Sequence, residues 1–300
     1  MALAAPRMPA APAASDIGLS GPASEFPFSE ADFRALVQLV HQYAGIALAD
    51  SKRNLVYGRL SRRLRALGMT SFREYRDYLT GNEGRQEIVK FVNAISTNLT
   101  KFFREVHHFE HLRTHVAVPF GRTGNRAVDR RLRIWSAGCS TGEEAYTVAV
   151  VLQREISDVA TRDVRILASD IDTDVLAKAA RGEYPVSSIE DVPRSFRQFF
   201  PVSGGDGGDE RIVMDAATKR LVVFRRLNLM DPWPFRRQFD VIFCRNVMIY
   251  FDTPTKSTLV ERFTQQLKPG GLLYIGHSES LLGIHPGLCL VGRTTYRREA

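Results

Sequence analysis

The stretch from Leu132 to Val150, LRIWSAGCSTGEEAYTVAV, constrains the fold of this chain more than any other. It opens on a short apolar run, Leu132, Ile134 and Trp135, which predicts a buried parallel strand. The small residues from Ser136 to Gly142 let the backbone turn sharply and let a ligand approach it closely. Glu143 and Glu144 suit the first turn of a helix, where the helix dipole favours acids. Ala145, Val148, Ala149 and Leu152 supply that helix with an apolar face. Strand, small-residue turn and helix in this order form the nucleotide-binding corner of a doubly wound sheet.

Three ligand chemistries compete for such a corner. The glycines Gly138 and Gly142 stand four apart, so the dinucleotide pattern GxGxxG is absent. Gly138-Cys139-Ser140-Thr141-Gly142 does match GxSxG, the nucleophile elbow of hydrolases, with His277 downstream as a base. Hydrolases of that kind place several strands before the elbow, and here the preceding hundred or so residues read as helices. The third chemistry is S-adenosylmethionine binding, which predicts an acid at the end of the next strand to hold the ribose hydroxyls. Val164 to Ser169 is that strand and Asp170 ends it, so this expectation leads.

Composition bounds the rest. A chain of 300 residues with 44% hydrophobic content buries a large core and suggests two domains. Cys139, Cys244 and Cys289 are far apart and odd in number, as free thiols in a reducing cytosol would be. No apolar run approaches membrane-spanning length, and the proline-interrupted start is a poor signal peptide. The net charge of +8 calls for an acidic partner without naming its class.

Residues 1–25 are rich in Ala, Pro and Ser and predict a disordered tail. A helical domain is expected over 26–112, a linker over 113–130 and a catalytic domain over 131–300, with a β-subdomain inserted at 184–225. Ser29 and Asp32 form a capping box for the first helix, which Gly45 ends. The next helix, Asp50 to Leu67, buries Val56, Leu60, Leu64 and Leu67 and can be capped by Asp50. Its arginines, Arg53, Arg59, Arg62 and Arg63 among them, face no acid after Asp50. They form either a solvated face or a docking surface for an acidic partner, and an unpaired basic face favours the second. Further on, Asn98, Thr100 and Arg104 surround Phe102 and Phe103, spaced so that a loop entering a helix aims all three one way. Thr100 could equally be a plain N-cap. His107, Glu110 and His111 spell HxxEH, a metal signature, but no third ligand stands out.

The blocks TNLTKFFREVHHF, WSAGCSTGEEAY, ASDIDTDVLAKAARGEY, CRNVMIYFD and GHSESL occur in an order that resembles the CheR-type chemotaxis receptor methyltransferases, from about Phe28 to Tyr296. The resemblance implies a doubly wound, Rossmann-like α/β methyltransferase domain preceded by an all-α domain. It implies S-adenosylmethionine as cofactor, no metal, and glutamate carboxylates of chemoreceptors as acceptors. It assigns Asn98, Thr100 and Arg104 to the cofactor's amino-acid end and the substrate pocket. Glu144 goes to the cofactor's ammonium, Asp170 to the ribose, and Asn228, Leu229, Arg245 and Asn246 to the adenine and methionine portions. Arg104 and Tyr250 are then the expected groups orienting the incoming carboxylate, though Tyr250 could be a core aromatic. Some members of the family grip a receptor C-terminal peptide with the β-subdomain. Within that insertion Arg211 to Met214 and Arg220 to Arg225 read as a hairpin-like pair, around a flexible tip at Gly204 to Gly208. Lys268-Pro269-Gly270-Gly271 reads as the stop of a helix beginning at Thr253.

Two other functions stay in view. Basic charge suits nucleic-acid methylation, but enzymes acting on base amino groups usually carry (Asp/Asn)-Pro-Pro-aromatic where this chain has Asn246-Val247-Met248-Ile249. The basic helix is better matched to an acidic helical bundle, with no membrane insertion. A non-enzymatic adaptor would tolerate loss of Arg104 or Asp170, and both are present.

Overall fold

A computed structural model describes residues 25–122, 131–204, 210–281 and 287–299. The tail expected over 1–25 and the tip at Gly204 to Gly208 lie almost wholly outside the described residues. Four helices come first: α1 (Glu30–Ala44), α2 (Arg53–Leu67), α3 (Phe72–Thr80) and α4 (Arg85–Ile95). The Ser29–Asp32 capping box is present in both directions, and Gly45 and Gly68 end α1 and α2 in the left-handed conformation. Phe33, Leu36, Leu60, Phe72, Tyr75 and Phe91 meet in a core of their own. Asp50 does not cap α2; it lies in a preceding 3-10 turn, Asp50–Lys52, and α2 starts without a side-chain cap.

The basic face of α2 is less bare than its sequence. Its acids come from packed neighbours, which helical spacing does not show. Arg53 pairs with Glu30 at 2.7 Å and Arg65 with Glu25 at 2.5 Å. Arg59 turns inward to the carbonyls of Ile95 and Ser96. Arg63 grips the buried Glu87 with two nitrogens at 2.8 Å each, and Tyr75 donates its hydroxyl to the same carboxylate. Arg62 is exposed and makes no such bond among the described residues. Arg63→Ala leaves Glu87 buried without its cation, and is expected to cost the protein about 3 kcal/mol. Urea unfolding of the variant checks this; an unchanged midpoint would make the pair a surface ornament.

The second domain carries α5 (Val106–Leu112), α6 (Val118–Arg122), α7 (Glu143–Glu155), α8 (Thr173–Arg181), α9 (Ala216–Leu221) and α10 (Thr253–Gln266). Its strands are β1 (Arg131–Ala137), β2 (Asp163–Asp170), β3 (Glu183–Pro185), β4 (Val202–Ser203), β5 (Arg211–Val213), β6 (Val222–Arg226), β7 (Phe239–Cys244), β8 (Leu267–Ile275), β9 (Leu288–Gly292) and β10 (Thr295–Arg298). The main sheet runs β6-β2-β1-β7-β8-β10-β9, parallel from β6 to β8, with β10 antiparallel to both neighbours. From β1 the chain winds outward first through β2 and β6, then the other way through β7 and β8. The switch point between β1 and β7 is where such sheets bind ligands.

Three expected boundaries move. Phe102, Phe103, Phe109, Leu112 and Ala117 are buried in the same core as Ile134, Val148 and Ile166, so the segment before β1 packs with the sheet domain and not with the four helices. The stretch expected as a linker from Arg113 is helical to Arg122, passing through a π-turn at Arg113–Ala117. Its arginines hid an apolar face of Leu112, Val116, Ala117 and Phe120; residues 123–130 lie outside the described residues. In the insertion, β5 pairs antiparallel with β3 and β4 in a small sheet, while β6 joins β2 in the main sheet instead of making a hairpin with β5. The apolar run Val222, Val223 and Phe224 suits a place beside β2 better than a solvated hairpin. Lys268 to Gly271 is no turn either: β8 begins at Leu267, with Gly270 at φ 76° where the register shifts.

A candidate cofactor cleft at the switch point

At the carboxyl ends of β1, β2 and β7 lies a cavity of about 550 Å³, a usual size for a site that holds a small molecule. Asn98, Thr100, Arg104, Glu144, Asp170, Asn228, Leu229, Arg245, Asn246 and Tyr250 all line it. The fold thus brings these ten residues, far apart in sequence, to one cavity. Of the docking arginines only Arg59 reaches it. What sequence missed is the wall supplied by the helical domain: Ala44, Ile46 to Ala49, Lys52, Leu55 and Ile95 also line the cavity. Ala47 N–H donates to the Tyr250 carbonyl at 2.8 Å, and Ile46 bridges Phe251.

The turn after β1 is shaped by close approach. Gly138 has φ 79°, and a side chain there would strike Val247. Gly142 has φ 96°, with Ala179 and Tyr184 against it. Ser140 adopts φ 50° without being glycine, strain of the sort found where a site over-determines its backbone. Asp170 holds that conformation: its carboxylate accepts Ser140 N–H at 2.8 Å and Asp172 N–H at 3.0 Å. Burial pushes the Asp170 carboxyl up, while those amides oppose the shift. Asp172 is turned away, capping α8 through Asp174 N–H and fixing the Asn98 amide at 2.7 Å.

A buried chain of charge crosses the floor. Ser136 donates to Glu144 at 2.6 Å, and Arg245 binds the other oxygen of Glu144 at 3.0 Å. Arg245 also reaches Glu105 at 3.3 Å and the Arg104 carbonyl. Arg245 is thus a buried strut between two acids more than a ligand contact. Despite burial, the Arg245 guanidinium and His277 hold the Glu105 carboxyl at about 2. Arg104 donates one nitrogen to the Leu99 carbonyl at 2.8 Å and lines the cavity from a partly exposed position. The Asn228 amide is occupied by the Tyr43 carbonyl at 2.7 Å, so it ties the helical domain to the rim.

The hydrolase elbow is not assembled. Ser140 Oγ donates to the Asn98 carbonyl at 2.9 Å, and His277 bonds Glu105 at 2.9 Å instead of the serine. Burial raises the Cys139 thiol and keeps it protonated, a small filler. The HxxEH histidines part company, His111 bonding Tyr274 at 2.8 Å. Glu105, His107 and His108 do converge within 4.8 Å. The fixed cation Arg245 already stands beside Glu105 there.

A parallel sheet with its cleft at the switch point, a glycine turn below it and an acid at the end of β2 define the cofactor domain of an S-adenosylmethionine-dependent methyltransferase. Residues 98–296 match the family model described as "CheR methyltransferase, SAM binding domain", and residues 31–96 that described as "CheR methyltransferase, all-alpha domain". The chain belongs to the CheR methyltransferase family. It is 42% identical to "Chemotaxis protein methyltransferase 2" of Pseudomonas aeruginosa, covering 91% of this chain and 94% of that one. It is equally 42% identical to "Probable chemotaxis protein methyltransferase" of Rhizobium etli, over 86% and 96% of the two chains. The Escherichia coli "Chemotaxis protein methyltransferase" is 42% identical over 89% and 91%. Among the described residues no helix is long and apolar enough to cross a membrane.

Proposed function

We propose that this enzyme methylates glutamate side-chain carboxylates in the acidic helical bundle of chemoreceptors, yielding glutamate methyl esters and S-adenosylhomocysteine for sensory adaptation in the cytoplasm. One observation carries the reading: the cavity offers an acceptor the cation Arg104 and the phenol Tyr250, and no histidine lines it among the described residues. A glutamate, with a reference pKa of about 4.3, is already ionised and needs no base. S-adenosylmethionine, when bound, supplies a sulfonium methyl, a good electrophile. The chain's own residues have the remaining tasks of placement and exclusion of water.

Asn98, Thr100 and Glu144 hold the cofactor's amino-acid end, Glu144 being tied to the Arg245 strut. Asp170 accepts from the ribose hydroxyls, and Leu229 with the backbone of Asn228 walls the adenine. Asn246 and Arg245 shape the floor between cofactor and acceptor. Arg104 aligns the incoming carboxylate by charge-assisted hydrogen bonds, assisted by Tyr250. The helical wall closes the opposite side against water. The small sheet, ordered β3-β5-β4, has strand edges at which a receptor C-terminal peptide can add.

The test is methyl transfer from labelled S-adenosylmethionine to a purified receptor cytoplasmic fragment. Label released by mild base and lost on Glu→Gln acceptor substitution supports the ester; base-stable label, or label on nucleic acid alone, overturns it. Of the arginines on α2, Arg62 is the one open to a partner. Arg62→Glu is expected to weaken receptor binding roughly fivefold, about 1 kcal/mol at low salt, with S-adenosylhomocysteine affinity unchanged. Equal loss of both affinities in titration would make α2 purely structural.

A further inference from the structure

The strand ends at β7 and β8 are joined by a group that does not reach the cavity. Glu279 is buried, and its carboxylate accepts Gly276 N–H at 2.5 Å, Asn246 N–H at 3.0 Å and Ile249 N–H at 3.1 Å. A turn closed by Glu279 N–H on the Gly276 carbonyl at 2.9 Å brings the side chain back over the end of β7. The two loops touch so closely that a Cβ on Gly276 would stand 2.7 Å from Asn246 N. Asn246 meanwhile sits at φ 57°, left-handed although not glycine. Convergent backbone N–H groups around a carboxylate form an anion nest, and here the anion comes from the chain itself.

We infer that Glu279 is a positioning residue: it sets the register of the segment from Arg245 to Tyr250, and through it the acceptor side of the cleft. Asn246, Val247, Ile249 and Tyr250 line the cavity, and Glu279 does not. Ile249 is 44% exposed, an apolar side chain on the cavity wall where an acceptor would meet it. The cofactor turn is held separately, by Asp170 on Ser140, with no bond to Glu279. Take the carboxylate away and three N–H groups lose their acceptor, Gly276 in a buried bond and Asn246 and Ile249 in part-buried ones, a penalty that the loop relieves by moving. Asn246 then relaxes from its left-handed state and Tyr250 shifts with it. The kinetic half of this inference rests on the proposed methyl transfer; the structural half does not.

Amide hydrogen exchange on the full chain, wild type against Glu279→Ala, which leaves no side-chain acceptor, tests the structural half. The amides of Gly276, Asn246 and Ile249 are expected to exchange at least about tenfold faster in the variant, since a lost bond of about 1.4 kcal/mol is a factor of ten. Exchange at Ser140 stays as in wild type. Unchanged exchange at the three amides overturns the clamp whatever the enzyme's substrate. Steady-state methylation then separates positioning from stability. Misplacement by about 1 Å lowers kcat by roughly a hundredfold, while S-adenosylhomocysteine affinity stays within about threefold. Gly276→Ala pushes Asn246 from the other side and leaves the carboxylate in place; the same split is expected from it. If both variants lose kcat, cofactor affinity and melting temperature together, Glu279 only supports the fold and the positioning role is wrong.

Discussion

Asp170→Ala is expected to weaken S-adenosylhomocysteine binding at least about 100-fold, close to 2.7 kcal/mol. Two losses combine. The carboxylate is the acceptor proposed for the ribose at the end of β2. It is also the group that holds Ser140 at its left-handed φ by accepting its N–H at 2.8 Å. Without it the turn beneath the cofactor has no reason to keep its shape. Asp170→Asn separates the two, because an amide oxygen can still accept from Ser140 while the charge is gone; a smaller loss is expected. Calorimetric titration reads both. Wild type should bind in the micromolar range, about 8 kcal/mol. Binding to Asp170→Ala as tight as to wild type would place the ribose elsewhere, and no binding to wild type would overturn the cofactor site.

The second large effect falls on folding. Arg245→Met removes the cation between Glu144 and Glu105, whose ion-pair distances are 3.0 and 3.3 Å. Both acids are mostly buried, and stranded buried charges of this kind cost about 3–5 kcal/mol. A fall in melting temperature checks it; a variant as stable as wild type would show that the strut stabilises nothing. The same hub predicts acid behaviour. Glu105 is lowered to about 2 in the folded chain, so its contribution is present above the unfolded pKa near 4.3. It is lost as pH falls through the window between them.

The fold and the cleft were legible in sequence to unequal depth. Leu132 to Val150 announced its strand, turn and helix because all three signals are local. Asp170 was found because strand ends in a parallel sheet share one edge. The partners of α2's arginines were not legible, since Glu30 and Glu87 approach from other helices and Glu25 from the segment before α1. The β5–β6 hairpin failed for a related reason: β6 paired with the distant β2, and β5 with β3 and β4 instead of with β6. Glu105 and Glu279 stood inside the motifs that carried the family resemblance, yet nothing in spacing says that an acid turns onto backbone amides. A left-handed Asn246 beside a glycine without room for a side chain is visible only in three dimensions.

The seam between the helical domain and the sheet domain has a consequence for domain exchange. Tyr43, Ile46 and Ala47 meet Asn228, Phe251 and Tyr250 by backbone-directed bonds, and the cleft is complete only where they join. Two modules that share one cavity wall constrain one another: a change in the α1–α2 connection bears directly on the loop after β7. The helical domain and the sheet domain are therefore expected to transplant into another chain only as a single cassette.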